Sequence, residues 1–539
     1  MKPPRFHTRL RQFAPLLLVL ISAVAAVTIY QQAVDYPFIY DDITYISDNA
    51  KLAGLNLTDL WRLFTEPYNG YAEFLPLRDL SYWFDLTLFG QNPAAFRINN
   101  IILYLLCLPL VYATTLGLWR YFRPADMANA PWAAAAVTAL FALHPSHTEA
   151  VVWISGRKDV LSGLLSLLAL WLALRTKREH GFSAPYAIGT LAALLAAMLS
   201  KATAVAVAPV IALLWIIFWR DIPIPERRRS LLLWPFACLL LAGCVTLVIM
   251  TFATSRIPLY FGIEAATRTL SVLGWFARLA VSPESRHFFY PVFEDSCFSV
   301  MVALGAVILL VALAGMVILL CRRSLEGFAL VIFLLICLPS LQLIPYAPPS
   351  LVSDRFVFLA VWPATVLVVS LLWRLRPLSR SVILLFIALS WSVQSDERTS
   401  DWRSFETVIE KDFKDYPGYY MTAMYKILNV QLKQGLYLDA EKTAKQISDP
   451  KFRNIMLQLV DADHATANAT SGNAQQVMTL LTKLELELEQ PPVQAMWNSP
   501  INHLYRRGQE VLGIEWEDLT EHFPDEVAIY NFKLQSPNR

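Results

Sequence analysis

Long apolar runs constrain the fold of this chain more than any other feature of its sequence. Hydrophobic residues make up 56% of the 539 residues and charged residues 16%, and the apolar residues are gathered into blocks. A helix needs roughly 20 apolar residues to cross a bilayer. Lipid excludes other open spanning structures, because backbone polar groups must be paired within the segment. The sequence therefore predicts an all-α polytopic membrane protein.

About eleven runs qualify as membrane-spanning helices. They lie near residues 13–30, 98–118, 131–143, 160–174, 184–200, 203–219, 231–251, 299–320, 327–345, 355–373 and 380–394. Basic residues precede the first run, which is the pattern of a signal anchor or of a cleaved signal. Prolines within several runs are compatible with spanning helices, since neighbouring helices cover the freed backbone groups.

The distribution of basic residues predicts the orientation of the bundle. Every second loop is rich in Arg and Lys, in phase with the basic N-terminus. Because cytoplasmic loops carry the excess of these residues, the remaining loops are predicted to face away from the cytoplasm. They include a large first outer loop over 31–97, where acids and aromatics predict interfacial helices, and a second large outer loop over 252–298.

The C-terminal segment differs in composition from the rest of the chain. Residues 1–394 are predicted to form a transmembrane domain, and residues 395–539 a soluble α-helical domain outside the cytoplasm. Within it, residues 435–440 together with Ala444 are similar to half of a tetratricopeptide repeat. An unrelated helical hairpin is the alternative. This domain is a candidate surface for a protein partner.

Charge and cysteine usage exclude several classes of protein. The net charge of +2 does not indicate a nucleic-acid partner. The six cysteines form no C-x-x-C pair, and five lie in or beside apolar runs. This pattern argues against a disulfide framework or a structural zinc site.

Two adjacent acids follow the first apolar run and are the candidate catalytic residues. Asp41 and Asp42 come after an aromatic segment. Neighbouring side chains of an extended segment point to opposite faces, so one acid is expected to face a reacting group while the other orients the loop. A carboxylate at this position can act as a general base. A solvated capping pair is the alternative.

A polar stretch over 143–159 separates two apolar runs. Ionisable side chains at the mouth of membrane spans suggest a functional site. His144 and His147 are three residues apart with Glu149 nearby, and three interpretations stay open for them. They could bind a metal, although Pro145 and the absence of a third ligand weaken this; they could be structural; or they could hydrogen-bond a phosphate or an acceptor.

Three cations lie at the outer ends of different spans. Arg157, Lys201 and Arg355 are unexpected there, because single cations belong on the cytoplasmic side. A shared anion explains them, since charge-assisted bonds to phosphate are strong and the arginine fork suits phosphate oxygens. The second outer loop offers further candidates: Arg268, Arg278, Arg286, Tyr260 and His287. The alternative is simple pairing with the neighbouring Asp159 and Asp354.

An anion site beside a carboxylate predicts a class of reaction. A lipid-linked phosphate sugar at the outer leaflet would place its phosphate, the leaving group, against the cations, which stabilise developing charge. The aspartate would deprotonate an acceptor hydroxyl.

Several motifs resemble those of one family, the TMTC (transmembrane and tetratricopeptide repeat) O-mannosyltransferases of the GT-C superfamily. The most specific is His144-Pro145-x-His147-Thr148-Glu149-Ala150-Val151, followed by Gly156-Arg157-x-Asp159. The similarity covers residues 38–359 in scattered blocks. The others are Tyr40-Asp41-Asp42 with Asn49, Leu75-Pro76-Leu77-Arg78, Leu88 to Pro93, Phe96 to Asn100, Ser200-Lys201 and Asp354-Arg355-Phe356.

The resemblance implies a GT-C-type bundle, a polyprenyl- or dolichyl-phosphate sugar donor, a protein hydroxyl acceptor, and inverting, metal-independent transfer without a cofactor. By position, Asp41 or Asp42 would be the base. The donor phosphate would be bound by Arg157, Lys201, Arg355 and Arg268. Substrates would be bound or oriented by His144, His147, Glu149, Asp159, Arg78 and Asp354.

Departures from the family pattern leave the sugar and the acceptor open. Lys158 stands where a small residue is usual, Tyr104 stands where a histidine is common, and the repeat region is short. The implied setting is a bacterial inner membrane, with the site and the C-terminal domain in the periplasm; an endoplasmic-reticulum lumen is topologically equivalent.

Other functions compete with this interpretation. A transferase could modify a lipid or glycan acceptor instead of a protein. A polyprenyl-lipid transporter or flippase would be expected to show internal repeats and midplane charges, whereas here the charges gather at one face. An interaction scaffold would leave the outer-loop charges unexplained.

Overall fold

The computed structural model describes residues 5–66, 74–178, 181–219, 233–252, 262–281, 287–292, 299–341 and 350–467. Most of these residues are helical. The α-helices there are α1 (Arg5–Tyr30), α2 (Ala50–Ala53), α3 (Pro76–Phe89), α4 (Pro93–Phe122), α5 (Ala130–Ala142), α6 (Thr148–Val152), α7 (Arg157–Thr176), α8 (Ala184–Ser200), α9 (Val207–Trp219), α10 (Leu233–Phe252), α11 (Ile263–Val281), α12 (Val300–Arg322), α13 (Leu325–Cys337), α14 (Val361–Leu372), α15 (Pro377–Asp401), α16 (Phe405–Asp415), α17 (Tyr420–Lys426), α18 (Tyr437–Lys445) and α19 (Pro450–Ala467).

The predicted all-α, polytopic membrane class is confirmed. Five helices are long and apolar enough to cross a membrane: those starting at Phe13, Pro93, Ile154, Val300 and Pro377. Six shorter apolar helices accompany them in the described part of the chain. A two-residue antiparallel pair, β1 (Lys177–Arg178) with β2 (Gly181–Phe182), is a minor hairpin between α7 and α8. The exact count of about eleven spans stays a prediction.

The predicted first outer loop has a small core of its own. Short helical turns at Ile43–Ser47 and Leu57–Phe64 join α2 and α3 there. Buried apolar side chains hold these pieces together: Ile46, Leu52, Leu63, Tyr82, Trp83, Phe96 and Ile154. Leu57 and Trp61, by contrast, are 74% and 60% exposed; that this turn lies at the lipid interface stays a prediction.

The predicted second outer loop contains a long helix. Helix α11 packs closely on α12, and its apolar residues from Val272 to Ala280 are largely buried. Gly274 and Gly305 allow the two backbones to touch, because a Cβ at Gly305 would lie 1.8 Å from the Leu270 carbonyl oxygen. Small residues commonly permit such close helix packing in membranes. The end of α11 reaches the candidate site described below.

The chain forms two compact units. The first comprises Met1–Pro345 and Val352–Thr407, and the second Tyr346–Leu351 and Val408–Arg539. In the second unit, α17, α18 and α19 pack together, and the Tyr420 and Phe452 rings stack at 4.0 Å. Gly435 adopts a φ of 71° in the turn before α18. A helical hairpin is therefore present, while its assignment as a tetratricopeptide repeat stays a prediction.

An ion-pair cluster fastens one end of the helices in the first unit; we call this the opposite end. Glu326, at the start of α13, accepts bonds from Arg123 and Arg374, each at 2.7 Å. Arg123 follows α4 and also donates to the Ser370 hydroxyl of α14 at 2.6 Å. Three elements thus meet at a single carboxylate. The candidate functional residues gather at the other end, here called the site end.

Candidate functional site

The polar stretch over 143–159 forms three short helical segments whose side chains are almost fully buried. They are the turn Pro145–His147, helix α6 and the turn Ile154–Gly156. Gly156 is required by close packing, because a Cβ there would lie 2.7 Å from the Ala150 carbonyl oxygen. The many helix ends in so short a stretch leave backbone carbonyls without helical partners.

Side chains from α3 and α4 satisfy these carbonyls. Arg97 Nε donates to the Val152 carbonyl at 3.1 Å, and Asn100 Nδ2 donates to those of Val151 and Trp153 at 3.3 Å. Tyr82 donates to the Ile154 carbonyl at 3.1 Å. Arg97 is itself buried and also donates to the Tyr36 and Pro37 carbonyls. The stretch is thereby held rigidly in place.

The two adjacent acids occupy different environments. Asp42 is fully buried and accepts bonds from the Ser155 hydroxyl at 2.6 Å, the Ser155 amide at 2.8 Å and the Ile39 amide at 3.2 Å. Burial raises the pKa of Asp42 to about 6, although these bonds oppose the increase. Asp41 is partly exposed, and its charge acts on Arg355. The pair lies in a helical turn rather than in the extended segment that was expected.

Arg355 is the centre of the site end. Its Nη1 pairs with Glu149, and its backbone amide donates to the second Glu149 oxygen at 3.0 Å. Its guanidinium lies 5.0 Å from the Trp153 ring centre and 4.9 Å from that of Phe356. The charges of Glu149, Asp159 and Asp41 all act favourably on its positive charge. Its Nε atom has no hydrogen-bond partner in the described part of the chain.

Lys201 lies next to Arg355. Its ammonium pairs with Asp159 and lies 4.9 Å from the ring centre of Phe356, the ring that Arg355 also contacts. Burial lowers the pKa of Lys201, Asp159 raises it, and the cations Lys158 and Arg355 lower it further. Two cations, each with one buried acid partner, therefore meet on one aromatic ring.

Arg157 does not join this pair. Its guanidinium is 1% exposed and pairs with Asp85 of α3 at 2.6 Å. It also donates to Asn100 Oδ1 at 2.7 Å and to the Phe96 carbonyl at 2.8 Å. The predicted alternative, pairing with Asp159, is not what occurs, because Asp159 pairs with Lys201. Arg157 thus fastens the first outer loop to α4 and α7.

Both histidines have their ring nitrogens occupied by protein groups, and both are fully buried. His144 accepts from the Ser146 amide at 3.3 Å and contacts the Ala280 carbonyl at 3.2 Å, at the end of α11. His147 contacts the Phe358 carbonyl at 3.1 Å and the Tyr104 hydroxyl at 2.9 Å. Burial lowers the pKa of His147 to about 3, and that of His144 also falls. This geometry favours the structural interpretation over phosphate or metal binding.

The Asp354 carboxylate contacts two side chains, Tyr290 and Arg398, that the sequence analysis did not identify as candidates. Tyr290 donates to one of its oxygens, and Arg398 of α15 lies 3.3 Å from the other. All three side chains are buried. Arg398 also donates to the His287 carbonyl at 3.2 Å. This network fixes the residue directly before Arg355.

The remaining candidates lie farther from Arg355. Arg78 is buried, pairs with Asp79 at 2.8 Å and covers the Tyr45 ring at 4.5 Å. Arg268 lies on α11, eleven residues before Leu279, or about 16 Å along a helix; the Leu279 carbonyl accepts from Ser146 at 3.0 Å. Arg286 and Tyr260 lie outside the described residues. Within those residues no group of three His, Cys, Asp or Glu side chains could hold a metal ion.

The arrangement suits an anion with a reactive neighbour. Arg355 and Lys201 offer charge-assisted donors from two different elements to one small volume, which is the geometry that binds phosphate oxygens. Asp41, partly exposed, lies within electrostatic range of Arg355. Buried acids keep both cations charged and oriented. A partly exposed carboxylate and two cations thus share the site end.

Comparison with known proteins adds independent information. The chain is similar to protein O-mannosyl-transferase TMTC2 of Mus musculus, with 29% identity over 171 residues, covering 31% of this chain and 19% of that protein. It is 33% identical over 165 residues to TMTC1 of Homo sapiens, covering 29% and 18%. It is 32% identical over 193 residues to Tmtc1 of Drosophila melanogaster, covering 34% and 21%.

These matches have a limited extent. The chain spans about a fifth of the length of the curated relatives it matches. No family model and no solved structure matches the chain. Over about a third of its length, this chain resembles the TMTC protein O-mannosyltransferases, as its motifs predict.

Proposed function

We propose that the chain is a membrane glycosyltransferase of the GT-C type. It transfers a sugar, mannose by analogy with the names of its relatives, from a polyprenyl-phosphate donor to a protein Ser or Thr hydroxyl. The observation that carries the proposal is the meeting of Arg355 and Lys201 on Phe356, with the partly exposed Asp41 in electrostatic range. The resemblance to protein O-mannosyltransferases supports the same reaction class.

In this proposal the donor phosphate lies against Arg355 and Lys201. Each cation is already paired with a buried carboxylate. A bound phosphate would therefore accept the hydrogen bonds that the cations still have to offer, rather than neutralise unpaired charge. The Nε atom of Arg355, buried and without a partner in the described residues, is a donor that a phosphate oxygen can use. Fixed donors of this kind stabilise charge as it develops on a leaving group without reorganising.

Asp41 is the proposed general base. The acceptor oxygen attacks the anomeric carbon as the bond from that carbon to the phosphate oxygen breaks. The bonding electrons leave with the lipid phosphate, and the hydroxyl proton passes to Asp41. One such displacement inverts the anomeric configuration. Positioned bases typically contribute about 10²- to 10⁴-fold to rate.

Asp42 has the supporting role. Its two oxygens accept three bonds from Ile39 and Ser155, so it has little capacity left for a substrate. Glu149 and Asp159 orient the cations, Asp354 fixes the backbone before Arg355, and His144 and His147 fix the polar stretch. Arg157 and Arg78 hold the first outer loop in place, and Arg268 has no assigned contact with the phosphate. The reaction needs no metal or cofactor.

The proposed setting follows from the basic loops. The opposite end, with Arg123 and Arg374, faces the cytoplasm, and the site end faces the periplasm of a bacterial inner membrane. The proposed periplasmic C-terminal helical unit can then meet an acceptor protein or another protein partner.

Reconstitution tests the proposal. The full chain in proteoliposomes should transfer mannose from polyprenyl-phosphate mannose to a Ser/Thr-containing peptide. Asp41→Asn should lower kcat by about 10²- to 10⁴-fold while the protein still inserts and folds. Asp48→Asn, an exposed acid of the same loop, is the matched control and should keep wild-type activity.

Other outcomes would reject specific parts of the proposal. Full activity of Asp41→Asn would contradict the base assignment. Glycolipid products without glycopeptide would replace the protein acceptor by a lipid. Donor movement between leaflets without transfer would identify a flippase instead.

A further inference from the structure

Tyr40, directly before the proposed base, has a rare backbone conformation. Its φ is 51°, in the left-handed region. Among the described non-glycine residues only Arg323 shares this feature, and Arg323 is the C-cap of α12, where left-handed residues are ordinary. Tyr40 instead precedes the helical turn that begins at Asp41, where a bulky aromatic residue with a positive φ is a genuine outlier. Such residues persist only where the surroundings impose them, and they cluster at active sites.

Aromatic contacts supply that constraint. The Tyr40 ring stacks on Phe405, with centres 4.6 Å apart and planes 12° apart. It meets Phe288 edge-on at 5.5 Å and lies 6.1 Å from Trp153. Phe405 and Phe288 are both buried and contact each other at 5.8 Å. Three aromatic rings from other segments therefore contact the side chain of the residue with the strained backbone.

The backbone on either side of Tyr40 is also anchored. Asp42 N donates to the Ile39 carbonyl at 3.0 Å, and Ile43 N donates to the Tyr40 carbonyl at 3.2 Å. Asp42 is tied to Ser155 through its side chain. Asp41 is the residue between these fixed points whose side chain is partly exposed. Its direction is consequently set by the conformation of Tyr40.

We propose that Phe405 is a positioning residue: by stacking on Tyr40 it maintains the left-handed backbone that aims the Asp41 carboxylate. Phe405 follows the last apolar helix, α15, closely, and its neighbour Trp402 stacks on Trp153 at 5.8 Å. Trp153 in turn lies under Arg355. The short segment 402–405 thus contacts both halves of the site, the base through Tyr40 and the cation through Trp153. This inference rests on the proposed function.

The test compares variants that keep or lose the stacked ring. Phe405→Leu should lower kcat by about 10- to 100-fold, the cost of a misplaced catalytic group, while KM for polyprenyl-phosphate mannose stays at the wild-type value. Phe405→Tyr keeps the stack and should restore kcat. Hydrogen exchange at the Asp42 and Ile43 amides should accelerate in Phe405→Leu alone.

A matched control separates positioning from general loss of packing. Phe452→Leu removes a comparable stacked ring, that of Phe452 on Tyr420, and should leave kcat and the exchange of residues 42–43 unchanged. Wild-type kcat in Phe405→Leu, or equal losses in Phe405→Leu and Phe405→Tyr, would overturn the inference. If the wild-type protein transferred no sugar, the proposed function would fail instead, and the exchange rates would still decide whether the stack holds the turn.

Discussion

The two ends of the bundle both carry ion pairs, but they differ in exposure to solvent. At the site end, Glu149 and Arg355 are 0% and 13% exposed in their side chains, and Asp159 and Lys201 are 3% and 13% exposed. At the opposite end, Glu326 is 16% exposed, and its partners Arg123 and Arg374 are 22% and 65% exposed.

This difference in exposure distinguishes ion pairs that hold helices together from ion pairs that orient the candidate site residues. Exposed pairs cost little to form and contribute little, typically up to about 1 kcal/mol. Buried pairs are costly to desolvate, and apolar packing often stabilises a fold equally well. Two buried pairs beside one another are therefore weak evidence for stability. We infer that they are retained because they keep cations charged and oriented within a dry site.

The largest effect should come from breaking a buried pair. Glu149→Gln leaves the Arg355 charge without its partner and should lower the free energy of unfolding by about 3–5 kcal/mol. The corresponding change at the opposite end, Glu326→Gln, should cost less, about 1–2 kcal/mol, because its partners Arg123 and Arg374 are more exposed. Chemical unfolding in detergent micelles measures both. The double variant Glu149→Gln, Arg355→Met should recover part of the loss, and equal losses at the two ends would remove the distinction drawn here.

A second test uses the buried acid of the site end. The pKa of Asp42 is raised to about 6, so the folded state binds the proton more tightly than the unfolded state. Its contribution to stability is then fully present only below the unfolded-state pKa of 3.8 and is lost as pH rises through about 6. A shift of this size corresponds to about 3 kcal/mol.

The measurement is the difference in unfolding free energy between the wild-type protein and Asp42→Asn across pH 4 to 7. The wild type should lose stability relative to the variant as pH rises. Ser155→Ala removes one bond to the carboxylate and should move the transition to higher pH. Parallel pH profiles for the wild type and Asp42→Asn would show that Asp42 is not the group responsible.

The smallest effect is expected at the opposite end. Arg374→Gln removes a largely exposed partner of Glu326, which keeps its bonds from Arg123 and Ser324. The loss in unfolding free energy should stay below about 1 kcal/mol and shrink further at high salt, because exposed pairs are screened. A larger, salt-independent loss would place this end in the same class as the site end.

The sequence predicts the helices well and the site only in part. Apolar runs predict helices because lipid allows little else, and the unexpected outer cations led to Arg355 and Lys201. The same signal applies to Arg97 and Arg398, which also lie near helix ends, and would have found them. Arg157 and Asp159 are two residues apart on a helix, so helical periodicity predicts that they point about 200° apart. The sequence could not show which neighbour each one meets, α3 for Arg157 and the end of α8 for Asp159.

The histidines illustrate a second limit. His147 is bound by Tyr104 and Phe358, and His144 by Ala280, all distant in sequence. A carbonyl left open where a helix ends gives no signal in sequence, so a buried histidine satisfying it resembles a ligand-binding one. The sequence also gives no sign of the left-handed conformation of Tyr40, because rings from other segments impose it.

Equilibrium binding of polyprenyl monophosphate to the reconstituted full chain tests the central claim most directly. The wild-type protein should bind the lipid saturably. Arg355→Gln and Lys201→Gln should each weaken binding by about 10- to 100-fold, the loss expected for hydrogen bonds to a charged group, while Arg374→Gln should bind as the wild type does. Wild-type affinity in both site-end variants, or an equal loss in Arg374→Gln, would contradict the account.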